Sequence, residues 1–229
     1  MGVTQLGLLA PPRPPPVDGI DLRCCDVADL LGEVRGARLV HADPPWLYAR
    51  EAGHANPETF GIFAGLTEPE IVEHLDRSHD CIDTGRLVCW YTWPKAAEWR
   101  TAGMAGARWG TETTGGAWLK TGQVGVGYHW RGQTEPVAVF TKGATGRPTE
   151  AIINGHASKP GPHSEKPLWW LRAMVRAWTD PGDLVLDLYA GLAPMARACA
   201  LEGRNYVGAE IDPERHRMAL DRLALRGRK

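Results

Sequence analysis

The sequence places an acid, two prolines and an aromatic residue in a row, Asp43-Pro44-Pro45-Trp46, directly after a short apolar stretch. Two consecutive prolines fix the backbone and remove two N–H donors, so the groups left for a ligand are the Asp43 carboxylate and the Pro44 carbonyl. If these two groups accept the hydrogens of an exocyclic NH2 group, the nitrogen lone pair becomes available. A rigid turn would align that nitrogen with an electrophile. Trp46 would offer a flat face to an unstacked base. We predict that these four residues are catalytic; the alternative is a rigid turn without chemistry.

A second constellation lies near the C-terminus, where Asp187 ends an apolar stretch and Glu210 ends the next one. Their spacing is about the ~20 residues that separate a nucleotide-binding turn from an acid that binds ribose hydroxyls. A dinucleotide site would need several glycine amides, but Pro194 lacks an N–H and an acid repels phosphate. A cationic ligand without phosphate, S-adenosylmethionine, fits better than a packing turn without ligand. The predicted contacts are Asp187, Leu188, Tyr189, Gly191, Glu210 and Ile211.

Two further residues suit the same ligand. Lys166 lies at a predicted helix start and could pair with the carboxylate of the amino acid part of the cofactor. Asp26 ends the first predicted strand, where its carboxylate could accept from an adenine amino group while the Val27 amide donates to a ring nitrogen. A helix N-cap is an equally good explanation of Asp26.

Apolar runs and helical patterns alternate along the chain. This alternation predicts an α/β fold with one Rossmann-like domain, a mostly parallel sheet and helices on both faces. The catalytic turn precedes the cofactor turn, a permuted order. Ligands of such sheets bind beyond the carboxyl ends of the strands. Strands are predicted at 20–25, 37–42, 86–91, 107–119, 135–141, 184–188 and 206–209, and helices at 27–34, 67–78, 94–103, 164–178, 194–202 and 213–225.

The bulk composition bounds the organisation of the chain. With 229 residues, we expect a proline-rich flexible arm at 1–19 and one domain at 20–229. Five cysteines without a C-x-x-C pair indicate neither a zinc site nor a disulfide framework, and no metal is predicted. The sequence has no long apolar run and no secretory signal, so a cytoplasmic location without membrane contact is expected. The net charge of −1 means that any basic surface for nucleic acid is local.

Three loops rich in glycine, basic and aromatic residues, 47–66, 120–132 and 142–163, would have to contact the substrate. Basic and aromatic side chains together suit backbone and base contacts. Together with Trp46, the predicted substrate-binding residues are Tyr48, Arg50, Tyr128 and His129.

The turn Asp43 to Trp46 resembles the signature of the MT-A family of amino-methylating nucleic-acid methyltransferases. The similarity spans roughly residues 22–212 and includes the segments at Asp26, at Trp118 to Thr121, at Glu135 to Val139 and at Lys166. It implies that Asp26 and Val27 bind the cofactor adenine, Lys166 meets its carboxylate, and Glu210 and Ile211 approach the ribose. It also implies that Asp43 touches both the cofactor and the target amine. Relatives often carry glycine where Ala193 stands.

The resemblance implies S-adenosylmethionine-dependent methylation of the adenine N6 amino group. The segments at Asp187 and Glu210 look more like those of bacterial and phage DNA enzymes, so DNA is favoured over RNA as the nucleic-acid partner. Three alternatives stay open: an RNA N6-adenosine methyltransferase, an N4-cytosine DNA methyltransferase, and a catalytically silent nucleic-acid-binding subunit. A nicotinamide oxidoreductase is disfavoured by the glycine-poor turn. A homodimer or a partner subunit could supply basic surface.

Overall fold

A computed structural model describes residues 18–47, 65–120, 133–143 and 165–224. These residues form a seven-stranded sheet with helices on both faces, which confirms the predicted fold class. The strands are β1 (Ile20–Arg23), β2 (Ala37–Ala42), β3 (Ile82–Trp90), β4 (Thr114–Leu119), β5 (Thr134–Lys142), β6 (Leu184–Asp187) and β7 (Asn205–Ala209). The helices are α1 (Val27–Glu33), α2 (Glu68–Ser78), α3 (Ala96–Thr101), α4 (Leu168–Trp178), α5 (Pro194–Glu202) and α6 (Pro213–Ala224).

The strand order in the sheet is β1-β7-β6-β2-β3-β5-β4. The first five strands in this order are mutually parallel, and β5 is antiparallel to both of its neighbours. From β2 the chain moves to β3 on one side, whereas from β6 it moves to β7 on the other. The order therefore reverses between β6 and β2, and such a switch point opens a crevice beyond the carboxyl ends of the two strands.

The central strands are apolar because both of their faces are covered. One face packs against α1, α2 and α3 in a cluster that includes Leu30, Ile71 and Trp99. The other face packs against α4, α5 and α6 in a cluster that includes Trp170 and Met195. The two clusters fix both sides of β2 and β6, which carry the predicted site.

The largest differences from the predicted boundaries lie at four elements. β3 begins at Ile82 rather than 86, and β4 begins at Thr114 rather than 107, because turns fill the segment before it. The helix predicted over 94–103 is a 3-10 turn, Trp93–Lys95, followed by α3. The helix predicted from 164 begins at Leu168, since the residue before Pro167 is biased away from helical conformation.

The start of α2 agrees with the sequence. Glu70 accepts from the Thr67 backbone N–H at 2.8 Å in a capping box, with a proline in the first turn. None of the helices within the described ranges is long and apolar enough to cross a membrane. Most of the predicted arm at 1–19 and of the three predicted substrate loops lies outside the described residues, so the division of the chain at residue 19 stays a prediction.

Candidate active site

The predicted catalytic turn leaves the carboxyl end of β2, beside the crevice. The Trp46 amide donates to the Pro44 carbonyl at 2.9 Å, and the Leu66 amide donates to the Pro45 carbonyl at 2.7 Å. The turn is therefore held by its own backbone and by residue 66. The Pro44 carbonyl has a second lone pair, so it can still accept from a ligand.

Asp43 belongs to a chain of alternating charges. Both of its carboxylate oxygens lie 2.7 Å from Lys166 Nζ, which also contacts Glu135 Oε1 at 2.7 Å. The other Glu135 oxygen lies 2.6 Å from Lys120 Nζ. The Lys166 ammonium is buried and stands 5.2 Å from the centre of the Trp90 ring. Two carboxylates and two ammonium groups balance, which permits their burial.

Burial and pairing shift the ionisation of this cluster. Desolvation raises the pKa of the Asp43 carboxyl, with the Glu135 charge adding to the rise and Lys166 opposing it. Desolvation also acts on Glu135, but Lys166 and Lys120 together hold its pKa below the ordinary value. The Lys166 pKa is raised despite desolvation because Asp43 and Glu135 both favour the ammonium. Lys166 is thus a fixed positive charge at neutral pH.

The structure corrects the expected role of Trp46. Its side chain is only 9% exposed and packs edge-on against Trp99, with ring centres 5.7 Å apart. Its indole N–H donates to the Trp90 carbonyl at 3.3 Å. The ring fills the space between β2 and α3, so its face is not open to a base in this conformation.

The cofactor turn lies beside the catalytic turn. The Leu188 amide donates to the His41 carbonyl at 3.0 Å, two residues before Asp43. The Asp187 carboxylate is 1% exposed, and it binds His41 Nδ1 at 2.8 Å and the Tyr206 hydroxyl at 3.0 Å. Both oxygens are thus bound to side chains inside the protein, and the contact of Asp187 with the cofactor stays a prediction.

Leu188 is buried, and the residues after it line the turn. The Tyr189 hydroxyl lies 3.0 Å from His74 Nδ1 on α2, and desolvation raises the pKa of both the phenol and the neighbouring Cys89 thiol. Gly191 has a φ of 57°, and Ala193 adopts the left-handed conformation at φ 54° and ψ 46°. Ala193 thus keeps a backbone shape that normally favours glycine.

Glu210 ends β7 and closes the turn from the side. Its Oε1 accepts from the Asp212 amide at 2.9 Å. Burial nevertheless raises the pKa of this carboxyl. The next side chain, Ile211, is 68% exposed, an unusual state for isoleucine and one that leaves an apolar surface for a flat ligand.

Asp26 lies at the same edge of the sheet, because Arg23 pairs with Ala209 and the Glu210 amide donates to the Arg23 carbonyl at 3.0 Å. The Asp26 side chain is exposed and caps α1 by accepting from the Ala28 amide at 2.7 Å. One carboxylate oxygen is engaged in this cap, so the N-cap interpretation is confirmed while a second oxygen is available. Val27 is buried in the first turn of α1.

The predicted substrate-binding residues other than Trp46 lie outside the described part of the chain: Tyr48, Arg50, Tyr128 and His129. Conversely, the sequence pattern did not predict a chemical role for His41, Glu135 or Trp90. His41 could have been found, because a polar side chain within a strand buried on both faces requires a partner. Glu135 gave no comparable signal, since its partners are distant in sequence.

The model of the family described as DNA methylase matches residues 107–221, half of the chain. The chain belongs to the DNA methylase family. The matched segment contains Glu135, Lys166, Asp187 and Glu210, and it begins after the catalytic turn. Membership of the MT-A group that the Asp43 turn resembles stays a prediction.

Curated relatives of the DNA methylase match over short stretches. The type II methyltransferase M.XycI of Xanthomonas campestris pv. cyanopsidis is 43% identical over 53 residues, which are 23% of this chain and 18% of that protein. The DNA adenine methyltransferase YhdJ of Escherichia coli K12 is 37% identical over 60 residues, 26% of this chain and 20% of that protein. The matches thus span about a fifth of the length of these relatives.

Solved structures match over nearly the whole chain. The M1.HpyAVI–SAM complex superposes with a TM-score of 0.67 and 16% identity, covering 89% of this chain and 99% of that one. The PvuII DNA methyltransferase, described as cytosine-N4-specific, superposes with a TM-score of 0.67 and 14% identity, covering 88% and 86%. At this identity the likeness establishes the fold.

Proposed function

We propose that this DNA methylase is an S-adenosylmethionine-dependent methyltransferase that acts on the N6 amino group of adenine in DNA. The observation that carries the proposal is the adjacency of the two predicted turns. The acceptors of Asp43 and Pro44 leave β2 at the switch point, and the turn that begins at Leu188 leaves the neighbouring strand β6. A methyl donor and a methyl acceptor placed by these turns would meet in one crevice.

The residues of the crevice fit S-adenosylmethionine. Buried Glu210 beside the Gly191 turn suits hydroxyl groups of a ribose, exposed Ile211 suits the face of an adenine ring, and Asp26 has an oxygen for its amino group. Acidic residues on both sides favour a cationic ligand over a pyrophosphate. When bound, the cofactor supplies an electrophilic methyl group. The carboxylate of its amino acid part would need Lys166, which this geometry engages with Asp43 and Glu135.

The chain's own residues bind and orient the target amine. Asp43 and the Pro44 carbonyl would accept its two hydrogens, which favours a tetrahedral nitrogen with an available lone pair. Lys166 holds the Asp43 carboxylate in place through both oxygens. Methylation of the amine releases one of its protons, and the raised pKa of Asp43 suits a group that can share that proton before solvent takes it.

Two observations bear on the base. The adenine-specific relative from E. coli supports adenine, whereas the cytosine-N4-specific structure makes N4 methylation of cytosine the second candidate. Both reactions use an exocyclic amine and the same pair of acceptors. We place the activity in the cytoplasm, in accordance with the prediction from the sequence. A homodimer stays a prediction.

The test is transfer of tritiated methyl from S-adenosylmethionine to DNA and RNA pools, followed by nucleoside analysis. We expect label in N6-methyladenine from DNA. Label in N4-methylcytosine would make cytosine in DNA the substrate, and label in RNA adenosine would make RNA the substrate. If the protein binds nucleic acid but not the cofactor, it is a catalytically silent subunit.

Variants of the catalytic turn complete this test. Asp43→Asn keeps the shape of the side chain and should lower turnover at least a hundredfold, the cost typical of a lost polar group at the reacting centre. The cofactor Kd, measured by calorimetry, should stay within about threefold, because the uncharged amide still fills the site. Asp83→Asn is the matched control, because Asp83 is an exposed acid near the amino end of β3, at the end of the sheet opposite the site. Full activity of Asp43→Asn would refute the proposed role.

A further inference from the structure

Trp93 presents an exposed indole at the rim of the candidate site. The side chain is 55% exposed, whereas Trp46, the aromatic residue of the catalytic turn, is 9% exposed. β2 and β3 are parallel with Ala42 opposite Cys89, so Asp43 and the 3-10 turn Trp93–Lys95 leave the sheet at the same edge from neighbouring strands. Along the strand direction they are separated by at most about 10 Å.

The Trp93 ring is held in a fixed orientation despite its exposure. Its Nε1–H donates to the Thr134 hydroxyl at 2.9 Å, and its edge packs on Tyr91 with ring centres 6.2 Å apart. Thr134 is followed by Glu135, whose carboxylate binds Lys166, and Lys166 binds Asp43. The ring is thereby tied to the charged cluster of the site through two neighbouring residues of β5.

A large apolar ring that is oriented by a hydrogen bond yet open to solvent is suited to stacking. An acceptor base that reaches Asp43 must leave its helical stack, and the lost stacking has to be replaced by the protein. Because Trp46 is enclosed by protein, it does not supply that surface here. Trp93 lies at the same edge, and its position depends on Thr134, a side chain that serves no other contact among those described.

We propose that Trp93 stacks against a base of the substrate strand and is the aromatic platform of this site. The inference rests on the proposed function, because it takes DNA as the ligand. Thr134 is the positioning residue that orients the platform. Stacking on an aromatic side chain is sequence-tolerant, so Trp93 contributes affinity and placement of the strand rather than recognition of one base.

The test compares binding of a short fluorescein-labelled single-stranded oligonucleotide of mixed sequence by the wild type and four variants. Trp93→Ala should raise the Kd about tenfold, within the range of alanine substitutions at stacking residues, and Trp93→Phe should recover most of that loss. Thr134→Val, which removes only the hydroxyl, should raise the Kd about threefold. Leu201→Ala is the control, since Leu201 is 52% exposed near the end of α5, at the opposite edge of the sheet.

The same variants separate this inference from the proposed function. Trp93→Ala should keep the melting temperature and the cofactor Kd of the wild type while the KM for DNA rises. If the wild type methylates DNA and Trp93→Ala has the same oligonucleotide Kd and the same KM for DNA as the wild type, the inference about Trp93 fails while the proposed function stands. If the wild type transfers no methyl but binds the oligonucleotide through Trp93, the function fails and the platform stands. If Trp93→Ala sediments differently from the wild type but binds the oligonucleotide equally well, Trp93 is a subunit contact and the proposal is overturned.

Discussion

His41 Nδ1 lies 2.8 Å from Asp187 Oδ1, and both side chains are buried between adjacent strands. The indole of Trp90 can only donate, and it points to His41 Nε2 at 3.1 Å, so Nε2 is the acceptor and Nδ1 carries the proton. Tyr206 donates to the second oxygen of Asp187. These four side chains form a polar row across β3, β2, β6 and β7. The row ties the strand of the catalytic turn to the strand of the cofactor turn.

Removing one donor from this row should cost stability. Tyr206→Phe leaves the buried Asp187 carboxylate with one partner fewer, and we expect the free energy of unfolding to fall by about 2 kcal/mol. The measurement is urea denaturation at an unchanged m-value. Tyr189→Phe is the matched control, because the Tyr189 hydroxyl contacts half-buried His74 and its loss should cost less than about 1 kcal/mol. Equal losses in the two variants would show that the row contributes no more than an ordinary contact.

Glu135→Gln should shift the acid limb of the pH profile of kcat/KM to lower pH. The Glu135 charge helps to raise the pKa of Asp43 and shares Lys166 with it, so neutralising Glu135 lowers the Asp43 pKa in two ways. If transfer requires ionised Asp43, activity is lost as pH falls through that pKa, and the limb of kcat/KM shifts to lower pH in the variant. Glu202→Gln, whose carboxylate pairs with two arginines near the end of α5, should leave the limb in place. A shift to higher pH with Glu135→Gln would contradict this account.

Ala193→Gly should leave the protein as stable or more stable. A left-handed alanine costs roughly 1 to 2 kcal/mol, which glycine avoids, while the greater freedom of the unfolded chain takes back about 0.5 to 1 kcal/mol. We therefore expect the free energy of unfolding, from thermal denaturation, to rise by up to about 1.5 kcal/mol. Ala196→Gly, in the ordinary helical part of α5, should lower it by about 1 kcal/mol or more. Similar losses in both variants would disprove strain at Ala193.

Trp46→Ala should destabilise the protein far more than Trp93→Ala does. Trp46 is enclosed beside Trp99 and donates a hydrogen bond, so its truncation should cost about 3 to 5 kcal/mol. Truncation of exposed Trp93 should change the free energy of unfolding by no more than about 0.5 kcal/mol. Chemical denaturation measures the free energy of unfolding of the two variants. A small loss in Trp46→Ala would show that the Trp46 ring is not enclosed and is open to a ligand.

The sequence sufficed for the elements with strong local signals. The strand Ala37–Ala42 and the helix Pro194–Glu202 have the predicted bounds, because an apolar run and a proline followed by helix formers mark them locally. The start of β4 at Thr114 was missed, since the residues before it form turns stabilised by contacts such as the Arg108 amide with Asp76. Such contacts between distant segments leave no periodic pattern.

The same distinction holds for the site. Asp43 and Glu210 lie beside the crevice, as expected from the rule that ligands bind beyond the carboxyl ends of the strands. The enclosure of Trp46 and Asp187 depends on Trp99, His41 and Tyr206, which come from other elements. Side-chain direction at a strand end is decided by those neighbours, so the residue type alone assigned both to the ligand.

The strand order has a consequence for synthesis of the chain. β1 and β2 never touch: β7 and β6 lie between them, across a span of about 14 Å. During synthesis, the gap between β1 and β2 cannot be filled until β6 and β7 leave the ribosome. His41 and its partner Asp187 are 146 residues apart in sequence. We therefore expect a polypeptide that ends before β6 to lack the centre of the sheet and half of the crevice, and to have no methyltransferase activity.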